Sequence, residues 1–215
     1  MTNLLAHSSL IKICGVTKVD DARAIADAGA DALGLIFANS ARQVNPVVAA
    51  QIIERTRTSL WHVGVFRDRA DEEILEVLNH VKVEAVQLHD PLSESLRVEL
   101  RARGLFIIKA LDITSGEFAT FDDRLIDVLL IDGPRAGSGE THDWGALRAR
   151  HFHVPWIAAG GLTSENVAAL IQQWHPWGVD TASGVESAPG VKDAARVGNF
   201  VANARRAFSQ KEKPS

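Results

Sequence analysis

Apolar residues in this chain gather in short, nearly unbroken runs: LIKICG (10–15), ALGLIFA (32–38), WHVGVF (61–66), EAVQLHD (84–90), LFIIKALDI (105–113), DVLLIDG (127–133), PWIAAGG (155–161) and GVDTASG (178–184). They recur at roughly 24-residue spacing, and several are apolar on successive residues, which predicts strands buried on both faces, as in a parallel sheet. Between them the period changes. Ala22, Ile25, Ala26 and Gly29 fall at i, i+3, i+4, i+7, as do Ala49, Ile52, Ile53 and Thr56, then Ile74, Val77, Leu78 and Val81, then Val167, Leu170, Ile171 and Trp174. Leu92, Leu96 and Leu100 keep the i+4 step. These are amphipathic helices, with Pro46, Asp71 and Pro91 expected in first turns. The weakest helical signals are the fifth (117–124) and the sixth (144–150), and a last helix is expected over 193–208. Strand and helix alternate eight times, and parallel crossovers are right-handed. The fold class expected is α/β, a single-domain (β/α)8 barrel over 1–215, with its core at about 10–208 and a frayed tail at 209–215. A doubly wound open sheet is the alternative, but KICGVTKVDDA after the first strand lacks the GxGxxG that fold would want.

Composition narrows the function. The 215 residues carry a net charge of −4, 46% hydrophobic and 23% charged residues, a soluble globular balance with no basic run for nucleic acid. No run approaches the roughly 18 apolar residues that span a bilayer, and MTNLLAHSSLIKICG reads as a lead-in to a strand rather than a signal peptide. One cysteine precludes an internal disulfide and fits a reducing cytoplasm. CxxC and HExxH motifs are missing, so no metal site is expected.

Barrel chemistry gathers at the C-terminal ends of strands. The seventh and eighth runs break into glycine and hydroxyl residues, Gly160-Gly161 leading to Thr163-Ser164 and Ser183-Gly184 preceding Glu186. Paired loops of this kind suit a phosphate, because glycine lets backbone N–H groups approach an anion; either loop alone is equally a tight turn. Cys14 ends the first strand. It is either a small buried hydrophobe or, in an electropositive mouth, a thiol of lowered pKa acting as a base. Lys12 lies two residues earlier on the same face. Asp132 ends the sixth strand, as a solvated loop-entry residue or as an acid facing Cys14 across the mouth. Arg42 follows the second strand, as a fork for a carboxylate or a surface charge. Lys109 and Asp112 sit on the fifth strand. His89 and Asp90 are favoured as loop hydrogen-bonders, the segment 133–143 reads as a lid or a surface turn, and His151 and His153 lack the partners of a metal site.

The motifs KICGVT, GADALGLIF, HVGVF, AVQLH, LLIDG, GSGETHDW, AAGGLTSENV and DTASGVESAPGVKD occur in the order and spacing found in phosphoribosylanthranilate isomerases of tryptophan biosynthesis, and the chain resembles that family from about Ile11 to Phe208. The resemblance implies a (β/α)8 fold and an Amadori rearrangement of N-(5-phosphoribosyl)anthranilate to 1-(2-carboxyphenylamino)-1-deoxyribulose 5-phosphate. It implies Cys14 as general base and Asp132 as general acid. Arg42 would hold the anthranilate carboxylate, while Gly160, Gly161, Ser183 and Gly184 would hold the phosphate. Lys12 is counted with the substrate-binding residues. No cofactor is implied, because the iminium formed on ring opening is itself the electron sink. The expected partner is a small sugar-phosphate substrate, with no nucleic acid and no membrane, in a monomer or, alternatively, a homodimer. Three positions depart from the family pattern: Gln43 replaces an aromatic residue, Asp90 a glycine and His142 a phenylalanine. A histidine-pathway isomerase would want two aspartates and a mid-chain phosphate loop, which KALDITSGE does not supply. A sugar-phosphate sensor without turnover would not need an acid opposite a base.

Overall fold

The computed structural model describes residue 5, residues 8–133 and residues 144–211. Eight parallel strands form a closed barrel in sequence order: β1 (Leu10–Cys14), β2 (Ala32–Ile36), β3 (Trp61–Phe66), β4 (Ala85–Leu88), β5 (Phe106–Asp112), β6 (Val128–Asp132), β7 (Trp156–Ala159) and β8 (Gly178–Thr181). β8 returns to pair with β1, Lys12 lying opposite Asp180. Around them lie α1 (Val19–Asp27), α2 (Pro46–Thr56), α3 (Asp71–His80), α4 (Glu94–Ala102), α5 (Gly116–Thr120), α6 (Val167–Trp174) and α7 (Ala194–Lys211). A short antiparallel hairpin of β9 (Glu186–Ala188) and β10 (Val191–Lys192) follows β8.

The continuous apolar runs are explained by two cores. Outward residues such as Ile11, Ile13, Leu33 and Leu35 pack against helix residues such as Ile25, Ile52 and Phe200. Inward residues fill the barrel, including Leu10, Val63, Ile108, Val128 and Ile157. Each strand therefore buries both faces, and the polar side chains buried with them, such as Lys12, His62 and Lys109, are hydrogen-bonded.

All eight strands appear where the pattern places them, but most stop earlier at their C-terminal ends. The glycine and small residues there belong to loops, since they contribute little apolar surface to either core. α2 begins as expected, with Pro46 at its first position and Asn45 Oδ1 accepting from Val48 N at 2.9 Å; such a cap contributes about 1 kcal/mol. Asp71 likewise opens α3. Pro91 does not open α4: the cap is Ser93, whose hydroxyl accepts from Leu96 N, and the helix starts at Glu94. The fifth helical segment splits into α5 and a 3-10 turn at Asp123–Leu125, and the sixth is the 3-10 helix Trp144–Ala149. Neither has enough apolar positions at helical spacing to fix a longer α-helix.

Candidate active site

Six of the eight residues singled out from the sequence (Cys14, Arg42, Asp132, Gly160, Gly161 and Ser183) line one cavity of about 540 Å3 at the C-terminal mouth of the barrel. Lys12 and Gly184 stand behind its wall. The segment read as a lid falls, apart from Gly133, outside the described residues.

β1 alternates, so Lys12 and Cys14 share the inward face, with Lys12 one layer deeper. Lys12 Nζ donates to Asp180 Oδ1 at 2.9 Å, the side chains being 0% and 9% exposed. This ammonium does not reach the cavity. Burial works against its charge, but Asp180 and then Cys14 hold its pKa above the ordinary lysine value. For Cys14 the balance runs against the lowered thiol pKa that one of its two sequence readings used. Burial pushes the thiol pKa up, Lys12 and Lys192 pull it down, Asp180 adds to the rise, and the net direction is upward. A buried thiolate loses more hydration than two ammoniums return when Asp180 neutralises one of them.

The hairpin that follows β8 supplies Glu186 and Lys192, two residues of the motif DTASGVESAPGVKD to which the sequence alone assigns no role. Glu186 Oε1 and Oε2 accept from Arg42 Nε and Nη2, both at 2.8 Å. Glu186 Oε1 also accepts from Lys192 Nζ at 2.8 Å. Lys192 Nζ further donates to the carbonyls of Cys14 at 2.6 Å and Ala182 at 3.0 Å, using the three donors an ammonium has. Burial alone would raise the Glu186 pKa, but its bonds to Arg42 and Lys192 bring it below the ordinary value. The loop after β2 folds back along that strand, Val44 N donating to Ile36 O, and this brings Arg42 to the mouth.

The loops after β7 and β8 meet backbone to backbone. A Cβ on Gly184 would lie 1.9 Å from Leu162 O, so no side chain fits. Thr181 Oγ1 donates to the same carbonyl at 2.7 Å. Gly160 has φ of 91°, in the left-handed region that glycine enters without strain. A Cβ there would come within 2.8 Å of Asp132 Oδ1, so the acid leans over this loop. Asn166 braces the turn, accepting from Thr163 N and donating to Gly161 O. The result is a shallow, backbone-lined recess beside Asp132.

On β4, Gln87 presents one end of its amide to His89 Nε2 at 3.0 Å, while Oε1 has no hydrogen-bond partner among the described residues. Both residues line the cavity. Burial lowers the His89 pKa to about 4, helped by the positive charges of Arg67, Lys12 and Lys109, so the ring is neutral at neutral pH. Asp90 is a loop residue as expected, accepting from Asp68 N. Lys109 points outward from β5, its ammonium 2.9 Å from His89 O and 3.4 Å from Glu117, and lies outside the cavity. His153 accompanies Asp123, also away from the mouth. Among the described residues no group of three or more His, Cys, Asp or Glu is placed to hold a metal ion, and no helix is long and apolar enough to cross a membrane.

The sequence model described as N-(5'phosphoribosyl)anthranilate (PRA) isomerase matches residues 11–203. The N-(5'-phosphoribosyl)anthranilate isomerase of Oceanobacillus iheyensis is 37% identical over 201 residues, covering 91% of this chain and 97% of that protein. The crystal structure of phosphoribosyl anthranilate isomerase from Thermotoga maritima superposes with a TM-score of 0.80 at 34% identity, covering 92% of this chain and 99% of its own. A crystal structure of phosphoribosyl anthranilate isomerase in complex with reduced 1-(o-carboxyphenylamino)-1-deoxyribulose 5-phosphate superposes equally well, with a TM-score of 0.80 at 33% identity and the same 92% and 99% coverage.

Proposed function

This chain belongs to the N-(5'phosphoribosyl)anthranilate isomerase family, and on that premise we propose that it performs the Amadori rearrangement of phosphoribosylanthranilate in tryptophan biosynthesis with Cys14 as base and Asp132 as acid. The observation that carries the assignment is the single cavity at the barrel mouth that holds Cys14, Asp132, Arg42 and the glycine loops together.

The substrate is read into it from its two anionic ends. Its phosphate lies in the recess of Gly160, Gly161 and Ser183, where two adjacent glycines let the backbone approach an anion closely. Gly184 acts from behind, by letting the β7 and β8 loops close on each other. The anthranilate carboxylate meets the Arg42 guanidinium, whose planar fork matches it. The ribose is then held across the mouth between β1 and β6.

Asp132 protonates the furanose ring oxygen, and the C1′–O bond breaks as the anilino nitrogen lone pair forms a C1′ iminium. The iminium acidifies C2′–H. Cys14 as thiolate removes that proton, and the C2′–H electrons move to the C1′–C2′ bond while the iminium electrons return to nitrogen. The enolamine gains a proton at C1′ as its C2′ hydroxyl loses one, leaving the ketone. The rearrangement is proton-neutral overall, and the electron sink is the substrate's own iminium. Lys12, though read from the sequence as a substrate-binding residue, enters differently: its buried ammonium supports the thiolate from below. A raised thiol pKa is compatible with this role, because a rarer thiolate is a stronger base toward carbon. A monomer is the assembly this reading uses.

The test is the decay of phosphoribosylanthranilate fluorescence, the substrate being made in situ from anthranilate and phosphoribosyl pyrophosphate. Wild type should consume it, and Cys14→Ala and Asp132→Asn should each lose about 100-fold or more in kcat while still binding the reduced product analogue. A folded wild type that leaves the fluorescence unchanged refutes the substrate. Equal loss of binding and turnover in the variants refutes the roles.

A further inference from the structure

A guanidinium offers its N–H donors along separate edges. Glu186 takes the side-on edge of Arg42, Nε and Nη2, in a bidentate pair at 2.8 Å for each bond. Among the described residues nothing bonds the end-on edge between Nη1 and Nη2, which is left for a second planar anion. Glu186 is 4% exposed, whereas Arg42 keeps 27% of its side chain exposed and lines the cavity.

Glu186 is itself held. Its Oε1 takes the Lys192 ammonium, which is tied to the Cys14 and Ala182 carbonyls. Lys192 N donates to Asp21 Oδ2, and Arg196 donates to the Glu186 carbonyl. The Arg42 stem is seated too: a Cβ on Gly15 would come 2.7 Å from its Cδ, so the stem lies flat on the backbone next to Cys14. An arginine side chain free in solvent would lose rotamer entropy on binding a ligand, and one fixed beforehand loses less.

We propose that Glu186 is a positioning residue that aims the end-on fork of Arg42 at the carboxylate of the substrate's aromatic ring, and that Lys192 fixes this fork relative to Cys14. The inference rests on the substrate assigned above. Two cations sharing one carboxylate leave a net charge of +1, and the carboxylate of the ligand neutralises it. An arylamine without that carboxylate leaves the charge uncompensated, so the cluster selects for the acid group as well as binding it.

The measurement is calorimetric affinity for two ligands, reduced 1-(o-carboxyphenylamino)-1-deoxyribulose 5-phosphate and its phenylamino counterpart without the carboxylate. The proteins are wild type, Glu186→Gln, Glu186→Ala, Arg42→Ala and the Glu186→Ala/Arg42→Ala double variant. Glu186→Ala should weaken the carboxylated ligand by about 10- to 100-fold, as expected for a misaligned charge-assisted pair, and should leave the other ligand within about twofold. In the Arg42→Ala background the same change should add little. Equal weakening of both ligands, or retention of both, overturns the proposal. Glu186→Gln keeps the shape of the side chain and carries the same comparison if the alanine variant does not fold. A wild type that fails to turn over phosphoribosylanthranilate refutes the substrate instead, so the two failures are distinguishable.

Discussion

Replacing Lys12 by methionine separates the structural from the chemical contribution of the buried pair. Lys12 and Asp180 are 2.9 Å apart inside the barrel, with 0% and 9% of their side chains exposed. At an effective dielectric of 20, charges at that distance attract by about 6 kcal/mol. Desolvation costs several kcal/mol per ion, so the pair as a whole contributes little net stability. Removing one partner is different, because Asp180 would then be buried beneath the mouth with its direct partner gone. The expected loss for Lys12→Met is about 3–5 kcal/mol. For a chain of this length that lowers Tm by roughly 6–20 °C. The double variant Lys12→Met/Asp180→Leu should recover most of it, since two apolar side chains replace two mutually compensated charges. Activity should not recover with stability. Lys12 is the largest of the influences that lower the Cys14 pKa, so its loss should move the thiolate limb of the kcat/KM profile to higher pH. Because the Lys12 pKa is raised in the fold, its contribution is fully present below about pH 10 and fades only as pH rises through the folded value. Thermal melts at neutral pH therefore report it in full. A single variant melting within about 2 °C of wild type, with an unshifted pH profile, would refute the reasoning.

Two further outcomes follow from the same geometry. His89 is held neutral, with its pKa lowered from 6.5 to about 4. The unfolded chain therefore binds more protons over that interval, and stability should fall as pH drops from about 6.5 toward 4, then level off. The change should be roughly 1–3 kcal/mol after allowance for solvent near the cavity, and urea titrations of wild type against His89→Gln should show this slope only in the wild type. At the phosphate recess, Gly184→Ala places a methyl group 1.9 Å from Leu162 O. Forcing the two loops apart should cost about 1–3 kcal/mol in stability and raise KM roughly tenfold or more; an unchanged KM in steady-state assays would show that the recess does not depend on this contact.

The barrel is legible in the sequence because burying both faces of a strand leaves a mark in one dimension. Runs such as ALGLIFA and DVLLIDG need no partner to be recognised, and alternation puts Lys12 on the face of Cys14. Alternation says nothing of depth, however. Only the pairing of β1 with β8 reveals that Lys12 ends on Asp180, 168 residues away, instead of in the cavity. The roles of Glu186 and Lys192 are hidden for a related reason. Their stretch, GVESAPGVKD, reads locally as a glycine-rich loop, and its charges acquire meaning from Arg42, which is 144 residues distant from Glu186. The Pro-Gly turn flanked by two short β segments was the available signal. The upward direction of the Cys14 thiol was likewise hidden, since it depends on burial and on Asp180 together.

The contacts that assemble the mouth share one further property. Lys12 with Asp180, Cys14 with Lys192, Thr17 with Gly190 and Arg42 with Glu186 all join the first fifth of the chain to the last. They lie at or near the seam where β1 meets β8, the one junction of the barrel made by strands that are not consecutive. Closing that seam carries the largest loop entropy in the molecule. During synthesis the early strands and helices can condense as they emerge, yet Cys14 waits for Lys192, which follows it by 178 residues. A chain cut just before Lys192 keeps all eight strands and the Lys12–Asp180 pair, but loses the ammonium that ties the Cys14 carbonyl to Glu186.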